Sequence, residues 1–145
     1  MSRKKALKRL LQVNMISKIE IHIPVKPVSA SRPRVTSFST YYSKSYMAYR
    51  KDTHIYLKTI AKGFPVNPKA LYEIHTEFIC HKPKRPSNPK CPRYDLDNME
   101  KAIYDAITHA KMIWHDDIQI IKSRASKRYQ KEGEAFGTKI TIMEI

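Results

Sequence analysis

Apolar residues alternate with polar ones at Ile19, Ile21, Ile23 and Val25, with Glu20 and His22 between them. That period of two predicts a strand with one buried face, closed by Pro24 and Pro27. A second alternation sets Tyr72, Ile74, Thr76, Phe78 and Cys80 against Glu73, His75 and Glu77, so residues 71–80 also read as a strand. Residues 118–129 and 138–145 predict two more, joined by the turn KEGEAFG, most simply as an antiparallel hairpin. Elsewhere the period lengthens. Residues 46–62 read as a helix with a stripe of Tyr49, Ile55, Tyr56 and Ile60, ended by Gly63 and Pro65. Met99, Ala102, Ile103, Ala106, Ile107 and Ala110 form the apolar stripe of a second helix. Asp97 fits its N-cap, and Glu100 three residues on would complete a capping box. The order β, α, β, α, β, β predicts an α+β fold: a small mixed sheet of about four strands with two main helices packed on one face.

Composition bounds this picture. A chain of 145 residues, 41% hydrophobic with nine Tyr, four Phe and one Trp, is one folded domain, expected over residues 15–145. Residues 1–14 carry leucines among Lys4, Lys5, Lys8 and Arg9 and read as a basic extension, a solvated appendage in preference to an extra DNA or subunit contact. The 28 Lys and Arg exceed the 13 Asp and Glu to give +15, a charge that selects polyanionic partners. Nucleic acid is favoured over a membrane, because no run approaches the length of a spanning helix. Cys80 and Cys91 have no metal-ligand spacing and read as free thiols. No apolar run follows the basic N-terminus, so no export signal is predicted and a cytoplasmic location is expected.

Charge is distributed unevenly. Six of the 13 acids (Asp95, Asp97, Glu100, Asp105, Asp116 and Asp117) fall within 95–117, a window of net −4 in a remainder of +19. Basic segments flank it. Residues 81–94 pack four prolines with Lys82, Lys84, Arg85, Lys90 and Arg93, and residues 26–45 carry Lys26, Arg32, Arg34 and Lys44 with Phe38, Tyr41 and Tyr42. The latter read as a long loop or loose hairpin suited to phosphate contacts and base stacking, since a mere connector leaves the aromatics without a role.

A structural reading of the acids is available: Asp97 as a cap, Lys101 and Asp105 as an i,i+4 pair, Asp116 and Asp117 as turn residues. It leaves Asp95 unexplained. A metal reading covers more, with Asp95, Asp97, Asp116 and Asp117 offering oxygen ligands to Mg²⁺ or Mn²⁺ and Lys101 adding charge against a scissile phosphate. His109 and His115 are left outside it as surface or turn histidines.

The pattern Asp95-x-Asp97-Asn98-x-x-Lys101-x-x-x-Asp105-Ala106, followed by Trp114-x-Asp116-Asp117-x-Gln119, resembles the RusA family of Holliday junction resolvases. The looser likeness extends over residues 17–145 and leaves residues 1–14 outside. The resemblance implies that Asp95, Asp97 and Asp117 form the Mg²⁺ site, that Lys101 is also needed, and that Asp116 is auxiliary. It further implies a homodimer, as two symmetric cuts in a four-way DNA junction require two sites about a twofold axis. Arg32, Arg34, Lys44, Lys82, Lys84, Arg85, Lys90 and Arg93 are the expected phosphate contacts. No organic cofactor is expected. Two other functions compete: a broader nuclease of branched or duplex DNA, and a non-catalytic architectural DNA binder.

Overall fold

The computed structural model describes residues 2–3, 18–30, 34–35, 37–38 and 40–145. Arg32 and nearly all of the basic extension fall outside those residues. The strands are β1 (Lys18–Ile23), β2 (Arg34–Val35), β3 (Thr40–Tyr41), β4 (Tyr72–Cys80), β5 (Ile120–Tyr129) and β6 (Gly137–Glu144). The helices are α1 (Lys44–Ile60) and α2 (Leu96–His109), with single 3₁₀ turns at Ala61–Gly63 and Asp117–Gln119. The fold is the expected α+β arrangement. Residues 26–45 contain a minimal antiparallel ladder, Arg34 opposite Tyr41 and Val35 opposite Thr40.

The four long strands form one mixed sheet in the order β1-β6-β4-β5. Strand β6 runs antiparallel to both β1 and β4, while β4 and β5 are parallel. The hairpin expected between β5 and β6 therefore does not form, because β4 lies between them. Burial accounts for the difference. Phe78, Ile79 and Cys80 are consecutively buried, so β4 needs a neighbour on each side, whereas Ile121, Lys122, Ser123 and Arg124 are exposed, as suits an edge strand. Residues 131–136 instead carry the chain across the end of β4. Arg128 grips both oxygens of Glu134 at 2.6 and 2.7 Å, and Gln130 Nε2 donates to Glu134 O at 2.7 Å. At the start of β6, Gly137 has φ +154°, and a Cβ there would come 2.7 Å from Ile23 O. Only glycine fits that approach.

Both helices cover the same face of the sheet. Ile21, Ile23, Ile74, Phe78, Ile140 and Ile142 meet Leu57 of α1 and Met99, Ile103 and Ile107 of α2 in the main core. The opposite face is polar, with Lys122 Nζ 3.1 Å from Glu73 and Arg128 3.4 Å from Glu77. Helix α1 is rotated from its expected stripe: Tyr46, Tyr49, Thr53 and Leu57 are buried, while Ile55 faces solvent. Cys80 is buried and Cys91 half-buried, both free, and burial pushes the Cys80 thiol up to about 11. Among the described residues no helix is long and apolar enough to cross a membrane.

Candidate active site

Helix α2 starts two residues earlier than its acids suggest. Met99 N donates to Asp95 O at 3.0 Å, which makes Asp95 the N-cap and places Asp97 in the first turn. No capping box forms with Glu100. The Asp95 carboxylate makes no cap bond; Asn98 Nδ2 approaches it at 3.5 Å. Neither oxygen is therefore spent on capping the helix, and only the long Asn98 contact engages Oδ2. A capping box exists instead after α2, where Asp116 Oδ1 accepts from Ile118 N at 3.0 Å and Gln119 Oε1 from Asp116 N at 3.3 Å.

The turn carrying Asp116 and Asp117 is held from several directions. Lys111 and Ile113 have φ of 55° and 68°, a left-handed conformation that a β-branched residue adopts only under constraint. The constraint is visible. Ile113 N donates to Phe64 O at 3.0 Å, and Ile113 O accepts from Asn67 N at 2.9 Å and Tyr72 Oη at 3.1 Å. Trp114, wholly buried, donates from Nε1 to Thr108 Oγ1 at 2.7 Å and sits edge-on to Tyr104, ring centroids 6.1 Å apart. Gln119 closes the structure. Its Nε2 donates to Asn67 O and Ala70 O, each at 2.8 Å, and its Oε1 accepts from His115 N at 2.8 Å. A residue only 6% exposed therefore spends every side-chain hydrogen-bonding group on fixing the backbone beside Asp117.

Electrostatics tie this turn to α2. Partial burial, Asp116 and then Asp105 push the Asp117 carboxyl up, and the Lys101 ammonium opposes them. Asp116 moves the other way, because Ile118 N and Asp117 donate to its carboxylate. Burial and the charge of Asp97 push Glu100 up. Between these groups Tyr104 is raised by burial to about 12, with Glu100 and Asp117 contributing. Asp97, Lys101 and Asp105, spaced i, i+4 and i+8, share a helix face. Asp105 and Lys101 are thus brought to Asp117, and Glu100 to Asp97. No ion pair joins Lys101 to Asp105 among the described residues, and no three carboxylate, thiol or imidazole groups there form a ready metal cage. The donor chemistry nevertheless fits a hard cation: exposed carboxylates, one at a helix start that does not cap it and one crowded by like charge.

Thr108 and Tyr104 were not among the residues singled out from the sequence, and Gln119 was given no role there. Gln119 stands at the end of the Trp114-to-Gln119 motif, so its position was legible while its burial was not.

The basic residues line the approach to Asp95. Lys82, Lys84, Arg85, Lys90 and Arg93 are all exposed on the segment entering α2. That segment is anchored to β5, since Tyr129 Oη donates to Asn88 O at 2.7 Å and Lys127 Nζ donates to Tyr94 O. A cleft of about 350 Å³ opens there, lined by Lys26, Arg85, Arg93, Tyr94 and Tyr129. Lys44 is exposed at the start of α1, and Arg34 is placed by its backbone in β2.

Comparison with known proteins identifies the family. The profile of the family Endodeoxyribonuclease RusA matches residues 24–143. A crossover junction endodeoxyribonuclease of Enterobacteria phage 82 is 30% identical over 123 residues, which cover 85% of this chain and 93% of that protein. Proteins of the same name from Escherichia coli strain K12 and Shigella sonnei strain Ss046 are 29% identical with the same coverage. A match over most of the domain, joined to an acidic helix face under a basic approach, places this chain in the RusA family of endodeoxyribonucleases.

Proposed function

We propose that this protein is a Mg²⁺-dependent endodeoxyribonuclease that resolves four-way DNA junctions by paired symmetric nicks, acting as a cytoplasmic homodimer in DNA recombination and repair. The observation that carries the proposal is the acidic face of α2 meeting the Asp116–Asp117 turn at the end of a basic approach, in a chain whose relatives are named crossover junction endonucleases. A relative in a phage supports a phage or prophage origin.

In this reading Asp95, Asp97 and Asp117 hold the cation, with Mn²⁺ as an alternative to Mg²⁺. Asp117 suits the role better than Asp116, whose Oδ1 is committed to Ile118 N. A bound Mg²⁺ supplies a water of lowered pKa and charge stabilisation at the phosphate. Lys101, exposed on the same helix face, places its ammonium against the scissile phosphate, where it stabilises charge developing on the oxygens. Lys82, Lys84, Arg85, Lys90 and Arg93 bind backbone phosphates, and Arg32, Arg34 and Lys44 complete that contact set. Two such sites about a twofold axis deliver two cuts.

The test is an immobile synthetic junction incubated with and without Mg²⁺, products mapped on all four strands. Symmetric nicks in two opposed strands, seen only with the cation, are expected. Equal cutting of flaps, forks and plain duplex would replace the resolvase by a broader nuclease. No scission with any divalent ion would leave only a DNA-binding role.

A further inference from the structure

A groove of about 850 Å³ separates α1 from the C-terminal half of α2, and none of the phosphate-binding residues assigned above lines it. Its volume falls in the ~300–1,000 Å³ range of sites that take small molecules. One wall is a built aromatic and cationic platform. The Tyr42 and Tyr46 rings meet edge to face, centroids 5.4 Å apart, and the Arg50 guanidinium carbon lies 5.2 and 5.6 Å from the two ring centres. Tyr46 is buried and Tyr42 half-buried, so the platform is fixed in the fold while the exposed Arg50 offers its outer face to the groove.

The remaining lining is mixed in character and cationic in balance. Lys51 and Lys111 are exposed at the rim and Asp105 is the one acid of the lining. His54 and His109 stand with ring centroids 5.5 Å apart, and His54 Nδ1 is a buried nitrogen with no hydrogen-bond partner among the described residues. Flat π surface, net positive charge and an unsatisfied ring nitrogen together suit a ligand that is planar, polar at its edge and anionic at one end. An unpaired nucleotide has that chemistry.

Asp105 links the groove to the candidate active site, since it lines the groove on the helix that carries Asp97 and Lys101. The charge of Asp105 acts both on Tyr46 of the platform and on Asp117 of the site, so one side chain of α2 is common to the two. We infer that the groove between α1 and α2 is a nucleotide subsite, seating an unpaired base next to the scissile phosphate against Tyr42 and Arg50, with Lys51 and Lys111 on its phosphates. This inference rests on the nuclease function proposed above and adds a determinant of where the strand is held. Such a subsite favours branched DNA over intact duplex, because a base at a strand exchange point leaves its stack at lower cost than one inside a continuous helix.

The experiment uses the full chain and a four-way junction with 2-aminopurine at the nucleotide on either side of the mapped nick, bound without divalent cation. Wild-type protein is expected to change the probe fluorescence, reporting transfer of the base from the DNA stack to the platform. Arg50→Ala, an exposed position whose loss leaves the core intact, is expected to abolish the change and weaken junction binding about tenfold, with duplex binding unaltered. Lys51→Ala should weaken binding while preserving the fluorescence change, which separates phosphate contact from stacking. Junction binding and nicking with a silent probe, or an unaltered signal in a folded Arg50→Ala protein, would overturn the subsite and leave the nuclease function standing. Failure to bind any branched DNA would overturn both.

Discussion

Gln119 shows how much of the site is decided by one uncharged side chain. Four hydrogen bonds join it to the backbone of Asn67, Ala70, His115 and Asp116, so the turn bearing Asp117 is braced from beneath by β4's lead-in. Replacing it strands buried carbonyl oxygens as well as removing packing. Gln119→Ala is expected to cost roughly 1–3 kcal/mol of stability, measured by urea denaturation, and to reduce nicking more than that loss explains at temperatures where the protein stays folded. Retention of full activity would show that Asp117 holds its place without the brace. The residues that sequence reasoning singled out were charged and clustered: Asp95, Asp97, Lys101 and the Asp116–Asp117 pair stand out against a basic chain whether or not their neighbours are known. Gln119, Thr108 and Tyr104 are ordinary residues whose bracing contacts beside Asp117 exist only in the fold. Asp97 illustrates the opposite limit, since its spacing to Glu100 fits a capping box and yet the helix hydrogen bonds begin at Asp95.

Among the elements, the strands and helices themselves were legible because alternation and helical stripes are local. Their order in the sheet was not. A hairpin is the least costly pairing for two strands separated by seven residues, but β4, with Tyr72, Ile74, Phe78, Ile79 and Cys80 all buried, takes the place between β5 and β6. The crossover then depends on Glu134. Its carboxylate accepts both terminal Arg128 nitrogens and Lys131 N, and those bonds pull it from the ordinary 4.5 to about 2. Because the folded-state value is depressed, the contribution to stability is complete above about pH 4.5 and disappears as pH falls through the interval to about 2. Glu134→Gln is expected to flatten the acid limb of the stability profile in that interval, read from denaturation midpoints at successive pH values. An unchanged limb would assign acid sensitivity to other carboxylates. Helix α1 is a milder case: its true inward face runs through Tyr46, Tyr49, Thr53 and Leu57, and the polar Thr53 disguised it.

For the whole molecule, charge sorting is the organising fact. A window of −4 sits in a remainder of +19, and the fold turns that sequence asymmetry into an acidic helix face at the end of a basic approach. Phosphate contacts release counterions and supply affinity that is largely indifferent to sequence, so specificity has to come from the junction's shape and from the local site. The sheet carries α2 and the Asp117 turn as one unit, because β4, α2 and β5 are consecutive in the chain and β4 and β5 are paired along their length. In the proposed function, binding and chemistry rest on different residues and are separable.

That separability gives the most direct test. Asp97→Asn keeps the size and polarity of an exposed side chain while removing one charge from the proposed metal site. With a synthetic four-way junction and Mg²⁺, the variant is expected to bind with an affinity close to wild type and to lose detectable nicking. Nicking at wild-type rates, or a loss of binding equal to the loss of cleavage, would contradict the role assigned to the acidic face of α2.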